Sequence, residues 1–464
     1  MKHLINRLQF ELNCTDEEQA FNFRQHFSAT FQKLITQAAD DICSKNAGEN
    51  EWLQIDKLEI DLGRFSPSSF EENFSIIFRD KFERELTRKL SAIPPSQRES
   101  SLYISKAELL KYFLLNGTVP WWAAEQEVDL NEIMLELTNS QPDVITSFLF
   151  HNQFKKNLWT RVAFQLNDEA KTKLISLNGN LKAVETLFSN WIAQLNNLIA
   201  NETSTVLSIA QNTMDDILLK NAAEIFQSSN SIDTLLEIFG KAIVAIFTDK
   251  AVAVEKIIAA HKAELTATTY EIAAAETGNI SNLDIAVATA QTTGEETLIE
   301  KYIVKHAGII LLSSFLKPFF TNLQLLVGNE WRDKEAQYKA VHLLRLLSSG
   351  EQKAWEYNLT LEKLMCGVNI EEPIPLDIEL QESETNECMQ LLESVIEHWK
   401  ALKNTSVACL RESFLRRDGI LTRKEKGWLL QVERKTLDIL LDSIPWGYTT
   451  VSFPWSDDLI FVEW

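Results

Sequence analysis

Trp428-Leu-Leu-Gln-Val-Glu-Arg434, Ile444-Pro-Trp-Gly-Tyr448, Phe453-Pro-Trp455 and Phe461-Val-Glu-Trp464 hold four of the twelve tryptophans of this 464-residue chain. Their β-prone residues, with prolines at the edges, predict two or three short strands carrying large aromatic faces. Such a tail either tucks its rings into its own core or offers them to a partner. Trp446, Trp455 and Trp464 are the side chains best able to anchor an interface. Residues 411–435 carry eight basic groups (Arg411, Arg416, Arg417, Arg423, Lys424, Lys426, Arg434, Lys435) against four acidic ones. A solvated loop explains such a run; in an acidic chain the reversal also fits contact with an acidic protein surface. Arg416, Arg417 and Arg423 therefore join the three tryptophans as candidate partner contacts.

Ahead of the tail, Asp143 to Lys317 contains no proline and only five glycines, at 179, 240, 278, 294 and 308, while alanine, leucine, isoleucine and glutamate dominate. This predicts a long run of helix, broken where cap-type residues cluster at Asn178-Gly-Asn180, Ser228-Ser-Asn-Ser231 and Gly278-Asn279. Ala251 to Ala290 has few large apolar groups and suits an extended or oligomeric helix. After Lys317-Pro318, Ala340, Leu343, Leu344 and Leu347 mark one amphipathic helix and Met389, Leu392, Ile396 and Trp399 another. Glu371-Glu-Pro-Ile-Pro375 marks a turn between them.

The first 93 residues read as β-α-β-α. Leu8, Phe10 and Leu12 alternate with polar neighbours, as do Leu58, Ile60 and Leu62. Capping boxes at Thr15 with Glu18 and Ser68 with Glu71 open two phenylalanine-rich amphipathic helices. Pro94-Pro95-Ser-Gln-Arg-Glu-Ser-Ser101 predicts a linker, followed by a short helix closed by Asn116-Gly117. The expected fold is thus mainly α: a small N-terminal β-α-β-α unit (1–93), a linker with short helices (94–142), a proline-free helical middle (143–317), and a C-terminal helical region ending in short aromatic-rich strands (318–464).

Composition narrows the function. At 45% hydrophobic residues the chain folds throughout, and its length predicts two to four structural units. With 45 basic and 66 acidic side chains its net charge is -21, which repels phosphate backbones and argues against nucleic-acid binding. The five cysteines are scattered without framework spacing, as expected of reduced thiols in the cytoplasm. Met1-Lys-His-Leu-Ile-Asn-Arg lacks the apolar core of a signal peptide. The greasy stretch Ala307–Leu316 is too short to cross a bilayer and reads as a buried helix.

His342, Cys366, Cys388, His398 and Cys409 fall in one region, but none is paired at metal-ligand spacing. Cys366 before Gly367 suits a small buried residue as well as a nucleophile. His398 beside Trp399 reads as a hydrogen-bonded structural residue. No phosphate-binding loop occurs. No catalytic residue, cofactor or metal is expected.

Lys57-Leu-Glu-Ile-Asp-Leu-Gly63, Asn116-Gly-Thr-Val-Pro-Trp-Trp122, Lys339-Ala-Val-His-Leu-Leu344, Lys363-Leu-Met-Cys-Gly367, Glu397-His-Trp-Lys-Ala-Leu-Lys-Asn-Thr-Ser406, Arg411-Glu-Ser-Phe-Leu-Arg-Arg-Asp-Gly419, Pro445-Trp-Gly447 and Phe461-Val-Glu-Trp464 occur in this order. Together they resemble the tape measure proteins of contractile injection systems, phage-tail-like particles with a contractile sheath around a rigid inner tube. The resemblance implies a structural protein in the tube lumen that fixes how far the tube polymerises or initiates its assembly on the baseplate, partnered with inner tube, spike and baseplate proteins, in three or six copies, in the cytoplasm and assembled into the particle. It brings no catalytic residues, and the net charge and short apolar stretch give no nucleic-acid partner or membrane insertion. An unbroken helical rod over 143–317 would reach about 260 Å, modest for a ruler. A short tube, a stretched chain, and an initiator or adaptor at the baseplate all remain open. The residues alone also fit a cytoplasmic helical adaptor that docks a partner through its tryptophan-rich tail.

Overall fold

Phe74, Phe78, Phe82, Leu86 and Leu90 bury one stripe of helix α2 (Phe70–Ser91) against Ile35, Ala38, Ala39 and Ile42 of helix α1 (residues 34–45). The four-residue step puts these side chains on one face, and the rings stack, Phe74 on Phe78 at 5.8 Å and Phe78 on Phe82 at 5.5 Å. Leu58, Ile60 and Leu62 pack half-buried on this core while their neighbours face solvent, although residues 57–64 form no strand. The computed structural model describes residues 8–9, 34–45, 55, 57–64, 70–91, 95–124, 127–202, 209–228, 231–247, 251–260, 262, 265–266 and 301–464. The pairing expected around Phe10 and Leu12 and the first capping box lie outside them, as does the break at Gly278-Asn279. The chain divides into two units, one of residues 1–109 with 121–125 and the other of residues 110–120 with 126–464.

Helix α3 (Pro95–Asn116) replaces the linker that its two prolines predicted. Proline is tolerated at the first helical position because that amide has no helical partner anyway. Gly117, at φ +74°, closes the helix.

In the second unit the proline-poor middle is a run of short helices: α4 (Leu130–Ser140), α5 (Pro142–His151), α6 (Lys156–Gln165), α7 (Asp168–Leu177), α8 (Gly179–Glu202), α9 (Gln211–Gln227), α10 (Ile232–Ile246) and α11 (Ala251–Ala260). The breaks expected at 178–180 and 228–231 are present. Further breaks fall at Gln141, Lys155 and Asn167, where Asn167 caps α7 by accepting from the Ala170 amide at 2.9 Å. The helices pack back on one another, α6 on α9 and α7 on both α8 and α9. Trp159 meets Phe226, and Phe188, Trp191 and Phe239 form a ring cluster. Among the described residues the middle is therefore a folded array and not a rod.

Residues 301–464 form a body with its own core. The six buried residues Ala307–Leu312 make a 3-10 turn into helix α12 (Ser313–Asn322). The two expected amphipathic helices are α13 (Lys334–Ser349) and α15 (Glu382–His398), with α14 (Thr360–Met365) between them and α16 (Val407–Leu410) after. Strands β2 (Leu326–Val327) and β3 (Glu330–Trp331) form a small hairpin. The five-stranded sheet runs β1 (Lys301–Val304), β4 (Gly419–Lys424), β5 (Gly427–Val432), β7 (Leu459–Glu463), β6 (Thr450–Ser452), all pairs antiparallel except β5 with β7. Leu421, Trp428, Leu430, Ile460 and Val462 face the core, and the residues between them face outward. Strand β1 interrupts the run whose lack of proline predicts helix; its Tyr-Ile-Val signal is too short to stand out there.

Gly308 lies where the turn at Ala307–Leu312 meets the π-helical turn Arg411–Leu415, and a methyl group there would overlap the Phe414 carbonyl. Gly308→Ala is expected to lower stability by about 2 kcal/mol or more. Gly447→Ala, with open space around it, should change it by under about 0.5 kcal/mol. Equal urea midpoints for the two variants would contradict this packing.

Candidate functional site

The three tail tryptophans are half-buried, and each indole nitrogen donates to the chain's own oxygen: Trp446 to the Leu311 carbonyl at 2.9 Å, Trp455 to Met365 at 2.9 Å, and Trp464 to Asp438 Oδ2 at 3.1 Å. Trp446 stands edge-on to Phe315 at 4.8 Å and meets Trp399, which packs on Phe414. Arg417 spans Phe414 and Trp464, and Tyr448 closes the row. Trp446 and Trp464 thus belong to one aromatic row. Trp455 sits apart, among Phe320, Trp331 and Phe453.

The three candidate arginines have different surroundings. Arg417 is fully buried, bonded to Asp438 at 2.7 Å and to the Ser413 carbonyl at 2.7 Å. Arg416 reaches the Ser349 carbonyl and pairs with Glu412. Together with Arg411, which donates to the Leu347 carbonyl at 2.9 Å and to that of Leu346 at 3.0 Å beside the Gly350 amide, it sits on the C-terminal carbonyls of α13, where cations are favoured. Arg423 lies on the Trp428 ring at 4.8 Å and pairs with Asp458 at 3.0 Å, its head still about half exposed. Asp438 is flanked by Leu437 and Ile439, 50% and 75% exposed, an apolar pair the sequence reading passed over. They stand in the 3-10 helix Thr436–Ser443, whose three-residue turn differs from the α-helical spacing.

A second cluster escaped the sequence altogether. Arg161 of α6, fully buried, holds both carboxylate oxygens of Glu356, at 2.9 and 3.1 Å, and donates to the carbonyls of Leu114 at 2.7 Å and Glu371 at 2.6 Å. Lys363 of α14 approaches the same carboxylate at 2.9 Å and also bonds the Ile370 carbonyl. Gln165 accepts from the Glu356 amide at 2.9 Å and donates to Ile374 at 2.6 Å. Burial pushes the Lys363 ammonium down, and Glu356 partly offsets this. The available signal was a charged residue on the apolar stripe of α6 between Leu158 and Val162.

Glu362, on the same helix as Lys363, is fully buried with neither carboxylate oxygen bonded, and Arg345 leaves Nε and Nη1 unpartnered. Burial raises the Glu362 acid to about 7, against a downward pull from Arg345. Burial also drives the Cys366 thiol well up and Cys388 to about 12, the reverse of an activated nucleophile. His342 bonds the Pro375 carbonyl at 2.9 Å, and exposed His398 bonds the Ser394 carbonyl at 2.7 Å. Among the described residues no three His, Cys, Asp or Glu side chains could hold a metal ion, and no helix is long and apolar enough to cross a membrane.

Folded helices, an aromatic-lined body and buried ion clusters characterise the described residues. The chain belongs to the contractile injection system tape measure protein family, whose sequence profile spans residues 2–464. No curated protein and no solved structure matches it. Family membership makes it a structural and assembly component of a contractile injection system, associated with other components of that particle, and not an enzyme.

Glu362 carries a pH signature. Its native acid is raised above the ordinary value of 4.5, so the folded chain holds that proton more tightly than the unfolded one. The stability this contributes is full below about pH 4.5 and is lost as pH rises to about 7. Glu362→Gln should flatten that fall and stabilise the chain at pH 8 by about 3 kcal/mol. Urea denaturation of both proteins at pH 5 and pH 8 checks this; parallel pH curves would contradict a buried acid at this position.

Proposed function

We propose that the chain works at the baseplate end of the inner tube as an anchored initiator of tube assembly. It acts in the cytoplasm, in three or six copies matching spike or tube, with residues 301–464 as the anchoring body. The observation that supports this reading is the folding of the middle. A ruler works by axial length, about 1.5 Å per helical residue, yet the longest helix of the array, α8 with 24 residues, spans only about 36 Å. Neighbouring helices then run back beside it. Removing α7 and α8 is expected to lower the number of particles and leave tube length unchanged. Tubes shortened by about 1.5 Å per residue removed would favour a ruler instead.

In this reading the partner contacts are the outward edges of Trp446, Trp455 and Trp464, the heads of Arg416 and Arg423, and the surface over Arg417, where Leu437 and Ile439 supply exposed apolar area. Interfaces of this kind concentrate their energy in aromatic and arginine anchors surrounded by apolar contact. Leu437→Ser with Ile439→Ser should leave the melting temperature of the body within about 2 °C, since surface changes are nearly neutral, while particle yield counted by electron microscopy drops. Normal yield would remove these two residues from the contact.

A further inference from the structure

The geometry points to a releasable latch between the helical array, residues 127–266, and the C-terminal body, residues 301–464: the two open and close along the Arg161–Glu356–Lys363 seam while each stays folded. This holds whatever the position of the protein in the particle. The hydrophobic core of the body is drawn from residues 304–462 and contains no residue of the array. The array has its own buried rings, Trp159, Phe188, Trp191 and Phe239. Among the described residues the hydrogen bonds between them gather in one seam. It consists of Arg161 and Lys363 on Glu356, Gln165 on Glu356 and Ile374, the Leu376 amide on the Phe164 carbonyl at 3.1 Å, and Asn157 on the Glu371 carbonyl. Among the described residues Tyr357 joins it, its hydroxyl bonded to the amide and carbonyl of Val128, while its ring stands edge-on to Phe113 of α3 at 6.1 Å.

Physical chemistry gives such a seam two states. Closed, every charge in it is paired, and Gly117 leaves the space that a methyl group would take from Glu356 and Arg161. Opened, the three charged groups regain water, so much of the electrostatic attraction lost is returned as hydration. A seam closed by apolar packing would instead pay the full cost of exposing that surface. Separate cores joined by polar contacts are the units that open sub-globally in native proteins.

Hydrogen exchange on the full chain, followed by residue-resolved mass spectrometry or NMR, tests the latch. The amides of Val128, Glu356 and Leu376, bonded across the seam, should exchange together and at least ten-fold faster than amides inside the cores, such as Leu218 in α9 and Leu430 in β5. In Glu356→Gln the three should speed up a further ten-fold or more with core protection kept. Exchange of seam and core amides in one event would overturn the proposal. So would three seam amides exchanging at unrelated rates, seam rates unchanged in Glu356→Gln, or loss of core protection in that variant.

Discussion

The arrangement of the second unit depends on one buried carboxylate. Glu356 is inaccessible, and an uncompensated charge there would cost several kcal/mol. It is tolerated because Arg161 meets it with two parallel hydrogen bonds, Lys363 adds a third, and the Gln165 side chain accepts from its backbone amide. The surplus donors of Arg161 and Lys363 go to the carbonyls of Leu114, Glu371 and Ile370. A hydrophobic trio of similar volume could be as stable. What the charges impose is register: any docking that parts Arg161 from Glu356 leaves buried charge unpaired. This also explains the segment Asn116-Gly-Thr, where the glycine both takes the left-handed turn that ends α3 and makes room for the two charged side chains.

A related economy governs the basic run at 411–435. The guanidinium groups of Arg411 and Arg416 add hydrogen bonds at the end of α13, reaching the Leu347 and Ser349 carbonyls and sharing that of Leu346 with the Gly350 amide. Arg417 ties the π-helical turn to Asp438 and thereby to the Trp464 indole. Lys424 and Lys426, at the tip of the β4–β5 hairpin, stay exposed. One cluster of positive charge in the sequence is thus divided between fixing the tail onto the body and facing solvent. The tail tryptophans follow the same division, their nitrogens spent on internal carbonyls and Asp438 while part of each ring remains accessible.

Periodicity carried much of this into the sequence. The stripes of α2, α13 and α15 are visible because apolar residues return every three or four positions, and the sheet face of Trp428 and Leu430 is visible in its alternation. Helix ends marked by asparagine and glycine, as at 178–180, were legible. Those at Gln141 and Lys155 were not, since neither makes a side-chain cap. The Arg161–Glu356 pair was invisible for another reason: its partners stand 195 positions apart, and no local pattern records a contact of that range. Pro95 misled because the residue that breaks a helix internally also begins one well. Of the candidate site, the residue types were legible and their surroundings were not: nothing in Arg416-Arg417 says that the second is buried and the first caps a helix.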